Sequence, residues 1–79
     1  MANISIEYCV VWNYQPRADG LSASIEEQFG INSSLIKGRN GVFEVKLDGN
    51  LIYSKKAVGR FPNPGEVEKL LTKQIGSSI

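Results

Sequence analysis

The sequence predicts a small α/β domain in the order β-α-β-β-β-α, a four-stranded mixed sheet with two helices packed on one face. Three observations predict it. Residues 3–11 alternate apolar and polar side chains, residues 16–29 carry apolar side chains at helical spacing, and two further extended stretches flank the pair Asp48 and Gly49 before a second amphipathic segment. A strand-helix-strand unit implies two parallel strands joined by a right-handed crossover. Ile4, Ile6 and Tyr8 with Phe43, Val45 and Leu47, set against Ser5 and Glu7 with Glu44 and Lys46, give the sheet one apolar and one polar face.

A chain of 79 residues is read as one domain, residues 1–79. A domain of that size buries roughly 60–65% of the surface its unfolded chain exposes, so a ligand is expected at the surface. No apolar run approaches the ~20 residues of a membrane span, and no membrane partner is expected. The opening MANISIEY lacks the pattern of a secretory signal, and one cysteine forms no internal disulfide framework. A cytoplasmic setting is the expectation. Nine basic and eight acidic residues leave a net charge of +1, which supplies no electrostatic drive toward nucleic acid. Histidine is absent, so the commonest general base and metal ligand is missing, and neither a metal site nor a cofactor is expected.

In the first strand Ile4, Ile6, Tyr8 and Val10 point one way, and Ser5, Glu7 and Cys9 the other. The alternation fails from Cys9 to Trp12, where the chain is expected to leave the sheet. Pro16 suits the first turn of a helix, with Asn13 or Gln15 available to satisfy an early backbone donor. Ala18, Leu21, Ile25 and Phe29 form the apolar stripe of that helix, Gly20 weakens it by about 1 kcal/mol, and Gly30 is expected as its left-handed cap.

Residues 31–37 read as a short second strand and residues 37–41 as a glycine-containing turn, whose spacing matches neither a P-loop nor a dinucleotide fingerprint. Residues 42–47 alternate again and return as residues 51–55. A two-residue loop at Asp48 and Gly49 would place Ile52 on the face of Val45, whereas a three-residue loop through Asn50 would place Leu51 and Tyr53 there. The two-residue loop is preferred, leaving Glu44 and Tyr53 as a cross-strand pair on the outer face. A loop then leads to Asn63, Pro64, Gly65 and Glu66, read as a helix start with proline at its first position. Val67, Leu70, Leu71 and Ile75 form the second apolar stripe, Gly76 closes the helix, and residues 77–79 are expected as a frayed end.

The segments IEYCVVW, GVFEVKLDGNLIYSKK and GRFPNPGEVEKLL resemble the selenoprotein W-like Rdx family, the group that includes selenoproteins T and H. The resemblance covers nearly the whole chain and implies a thioredoxin-like fold with a role in thiol or selenol redox chemistry. The family carries Cys-x-x-Cys or Cys-x-x-Sec at the end of the first strand. Laid on this sequence the motif reads Cys9, Val10, Val11 and Trp12, so the second redox position is a tryptophan.

Two readings of function stay open. In the first, Cys9 is a single reactive thiol near a helix N-terminus, forming a mixed disulfide with glutathione or a client protein that a second molecule resolves. Such a chain would have at most a monothiol oxidoreductase-like activity in cell redox homeostasis. In the second, Cys9 is a small buried residue and the chain is a redox-inactive thioredoxin-like binding module that uses the aromatic turn of Trp12 and Tyr14. Lys55, Lys56, Arg60 and Arg39 are candidates for a basic patch facing an anionic partner such as glutathione. The hydroxyls of Tyr8, Tyr14 and Tyr53 have no histidine to work with, and Glu26 and Glu27 are read as a helix exterior.

Overall fold

The computed structural model describes residues 3–76. Its strands are β1 (Ile4–Cys9), β2 (Ser33–Gly38), β3 (Phe43–Leu47) and β4 (Asn50–Ser54), and its helices are α1 (Gln15–Phe29), α2 (Lys55–Val58) and α3 (Glu66–Gly76). The sheet order is β2-β1-β3-β4, with β1 parallel to β2 and antiparallel to β3. Ile4, Ile6 and Tyr8 from β1 and Phe43, Val45 and Leu47 from β3 meet Ala18 and Ile25 of α1 and Val67 and Leu71 of α3 in one core. The two long helices therefore share one sheet face, as the alternation of the strands requires.

Helix α1 ends as its sequence dictates. Gly30 adopts φ +67° and its N–H donates to the Glu26 carbonyl, the left-handed stop for which glycine has no Cβ penalty. Its start differs from expectation: Tyr14 is the N-cap and no side chain caps the helix, so neither Asn13 nor Gln15 supplies the bond. Asn13 instead takes φ +59°, a left-handed turn that asparagine tolerates better than most residues.

The hairpin obeys the two-residue loop but not the facing inferred from it. Asp48 and Gly49 both have positive φ, and Leu47 pairs with Asn50. A bulge then inserts Ile52, so that Leu51 lies opposite Lys46 while Tyr53, not Ile52, lies opposite Val45. Tyr53 is thereby buried and its hydroxyl donates to the Arg60 carbonyl at 2.6 Å. The expected outer-face pair of Glu44 and Tyr53 does not form; Ser54 takes that place and donates to Glu44 Oε2 at 3.1 Å.

Two further departures lie beyond β4. Lys55, read as the end of the fourth strand, and the residues after it, read as loop, form the one-turn helix α2, capped by Ser54 Oγ, which accepts the Ala57 N–H at 3.3 Å. Pro64 occupies the second position of a turn rather than the first of a helix. Gly65 follows it with φ +83°, the Glu66 N–H donates to the Asn63 carbonyl at 2.9 Å, and Gly65 accepts the Lys69 N–H as α3 begins. The reach-back expected of Glu66 is present, since its Oε1 accepts the Asn63 N–H at 2.9 Å. Gly76 lies within α3 rather than beyond it, and residues 77–79 fall outside the described residues.

Glu66 also holds Arg60 through two bonds, Oε1 to Nη1 at 2.6 Å and Oε2 to Nη2 at 3.0 Å. The guanidinium, with help from the Asn63 N–H, depresses the Glu66 carboxyl from 4.5 to about 2. A folded-state value below the unfolded one stabilises the fold above the unfolded value, and that contribution is lost as pH falls. Acid unfolding of the wild type is therefore expected to gain a slope between about pH 4.5 and pH 2, and urea midpoints of Glu66→Gln across that window should show the slope reduced.

Candidate functional site

The candidate redox position lies where β1 ends. The Cys9 N–H donates to the Val42 carbonyl at 2.8 Å and the Val10 N–H to the Gly38 carbonyl at 3.3 Å, holding the strand end to both neighbours. The chain then turns back. Asn13 N–H donates to the Val10 carbonyl at 3.0 Å, Tyr14 N–H to the Cys9 carbonyl at 3.1 Å, and Trp12 N–H to Cys9 Sγ at 3.4 Å. By strand alternation Cys9 shares the outer side of Ser5 and Glu7, yet it is 0% exposed, with the Trp12 N–H of the following turn against its sulfur. Val10, expected on the core face, is instead exposed within that turn.

The turn beside the sulfur is itself open to solvent. Val11 is 82% exposed and Trp12 60%. The indole lies against the backbone of Gly41, where a Cβ would come within 2.5 Å of Trp12 Cζ3. Glycine is needed there twice over, for the ring and for its φ of +71°.

Aromatic edges carry the turn into the core. Trp12 meets Tyr14 with ring centroids 6.1 Å apart, Tyr14 meets Phe61 at 4.6 Å, and Phe61 meets Phe43 at 5.4 Å, all edge to face. Arg17 lies 4.1 Å from the Phe61 ring centroid, and the Lys55 ammonium lies 5.6 Å from that of Tyr14 and 5.3 Å from that of Phe61. Phe61 is thus the link between the turn and the core. Sequence spacing gave no sign of it, since Trp12 and Phe61 are 49 residues apart.

Of the four cations read as a basic patch, three come together. Arg39, Lys55 and Lys56 line a cleft of about 460 Å³ beside Trp12, with Glu7 and Glu44 also on its walls. Arg60 is not among them, being held by Glu66. Among the described residues no group of three or more His, Cys, Asp or Glu is placed to hold a metal ion, and no helix is long and apolar enough to cross a membrane.

The model of the Rdx family matches residues 3–73. Among curated proteins, the chain is 33% identical over 60 residues to migration and invasion enhancer 1 of Bos taurus, covering 75% of this chain and 52% of that protein. It is 31% identical over 61 residues to the Mus musculus protein of the same name, covering 76% and 53%. The chain spans about half the length of the curated relatives it matches. Among solved structures, a selenoprotein W-related protein from Vibrio cholerae superposes with a TM-score of 0.87 at 27% identity, over 94% of this chain and 96% of that one. A Bordetella parapertussis protein superposes with a TM-score of 0.89 at 22% identity, over 94% and 98%, a likeness of fold alone.

Proposed function

Because the chain belongs to the Rdx family, we propose that it serves thiol redox homeostasis as a thioredoxin-fold docking protein. It contacts a client protein through Val11, Trp12 and Tyr14 and keeps its single thiol, Cys9, closed beneath that turn. The observation that carries this reading is a contrast within four residues: Cys9 is 0% exposed while Val11 and Trp12 are 82% and 60% exposed. A two-electron cycle within one chain needs two thiols, and tryptophan stands at the second motif position. An exposed indole seated on a rigid loop is a low-entropy anchor of the kind that dominates protein interfaces. The adjoining Arg39, Lys55 and Lys56 suit a client segment that presents an apolar side chain next to acidic residues.

Immobilised wild type and Trp12→Ala, compared by quantitative pull-down, test this reading. Removal of a hot-spot tryptophan is expected to weaken client binding roughly 30-fold, about 2 kcal/mol. Clients retained equally by both would contradict it. An acidic peptide selected from a retained client should also bind the isolated protein, with an affinity that falls as salt rises.

One observation favours a second reading, in which Cys9 exchanges with glutathione or a client disulfide. The Trp12 N–H donates to Cys9 Sγ at 3.4 Å, so the turn that bonds the sulfur is the one whose opening would present it to a disulfide. In that step the thiolate attacks one sulfur of glutathione disulfide, the Cys9 mixed disulfide forms, and glutathione thiolate leaves. The reaction requires the turn of residues 10–13 to open first.

A further inference from the structure

We propose that Asn40 is a site of covalent self-modification, in which the Gly41 backbone nitrogen closes on the Asn40 side-chain amide and the resulting isoaspartate unseats Trp12 and adds a negative charge to the cleft beside it. Asn40 is exposed with φ +60°, and Gly41 follows with φ +71°. The two form the tip of a tight turn, closed by the Val42 N–H donating to the Arg39 carbonyl at 3.3 Å. Gly41 has no side chain to hinder approach to its nitrogen, and among the described residues its N–H is bonded to nothing. The other asparagines each lack one of these conditions. Tyr14, after Asn13, donates its N–H to the Cys9 carbonyl at 3.1 Å. Ile4, Ser33 and Leu51, after Asn3, Asn32 and Asn50, lie in strands and carry side chains, and Pro64, after Asn63, has no N–H. Asp48 also precedes a glycine, but its Oδ1 accepts the Asn3 N–H at 2.8 Å.

The reaction needs only water. A nitrogen–carbon bond forms as the Gly41 nitrogen attacks the Asn40 amide carbon, the carbon–nitrogen bond of the side-chain amide breaks, ammonia leaves with the Gly41 proton, and a cyclic imide remains. Water then opens the imide at either carbonyl, giving aspartate or isoaspartate. Exposed turns open locally at little cost, which lets the chain reach the geometry of attack. Isoaspartate routes the main chain through the former side-chain carbon, so the turn gains one backbone atom. That atom falls next to Gly41, whose backbone lies against the Trp12 indole with no room for a Cβ. The new carboxylate stands on a cleft walled by Arg39, Lys55 and Lys56 and lowers the net charge by one from +1. Weaker capture of acidic clients would follow only on the docking function proposed above, whereas the mass change at Asn40 does not depend on it.

The test incubates the folded protein and the blocked peptide acetyl-Gly-Arg-Asn-Gly-Val-amide side by side at mildly alkaline pH until the peptide is half converted. Peptide mapping by mass spectrometry is expected to find the gain of OH for NH₂ at Asn40 before any other asparagine, at a rate within about tenfold of the free peptide's, with isoaspartate among the products. The converted fraction, separated by ion exchange, should show shifted Trp12 fluorescence. Asn40→Gly, which takes the positive φ without cost and has no side-chain amide, should keep its mass at that position and its emission throughout. Asn40→Asp, freshly prepared, carries the charge without the added backbone atom and should emit as the wild type does. The inference is overturned by an Asn40 that stays unmodified in the folded protein while the peptide converts, by earlier conversion at another asparagine, or by an isoaspartate fraction whose emission matches that of fresh Asn40→Asp.

Discussion

Phe43→Ala is expected to lower the unfolding free energy by about 3–5 kcal/mol, measured as a loss in urea midpoint at unchanged slope. The size follows from where the ring lies. Phe43 is 1% exposed at the head of β3, between the Tyr8 register position of β1 and the Phe61 ring. Its removal leaves a cavity that strands cannot collapse into without breaking ladder hydrogen bonds, so the cavity cost adds to the lost transfer energy. A domain of this length has only about 4–12 kcal/mol in hand, and the variant should sit near the edge of unfolding. Because Phe61 and Tyr14 rest on Phe43 in turn, the variant should also loosen the turn over Cys9. The single tryptophan of the chain, Trp12, makes that loosening visible as a change in fluorescence.

Much of the fold was legible in the sequence because it rests on local periodicity. The alternation of Ile4, Ile6 and Tyr8 placed β1, Ala18 and Ile25 marked the buried side of α1, and Gly30 and the pair Asp48 and Gly49 marked real turns with positive φ. The departures have non-local or single-residue causes. One extra residue at Ile52 exchanges the faces of β4 and sends Tyr53 inward, and no pattern of five residues announces a bulge. Pro64 followed by glycine suits a turn as well as a helix start, and the positive φ of Gly65 decides between them.

The candidate site was legible in its members and not in its geometry. Cys9 and Trp12 stand out in the sequence as the sole residues of their kinds, and the basic residues flanking the hairpin were visible as a group. Strand periodicity, however, put Cys9 on the solvated side with Ser5 and Glu7. It is fully buried where the chain turns back within five residues, with Trp12 N–H and Tyr14 N–H bonded to it, a closure that an alternation pattern does not signal. The same holds for Phe61, which joins the turn to the core across the length of the chain.

The second large effect concerns the thiol itself. With Cys9 0% exposed and the turn pinned by three backbone donors from residues 12–14, any reagent must wait for a local opening. An opening that costs about 3 kcal/mol or more slows reaction at least about 100-fold relative to the unfolded chain. The direct measurement is to add oxidised glutathione at neutral pH to the folded protein and, in parallel, to protein unfolded in urea, and to follow the Cys9 adduct by mass spectrometry. A closed, docking turn gives an adduct on the unfolded chain and, over the same interval, almost none on the folded one. An adduct that forms on the folded protein as fast as on the unfolded chain would contradict the closed turn and favour a working monothiol.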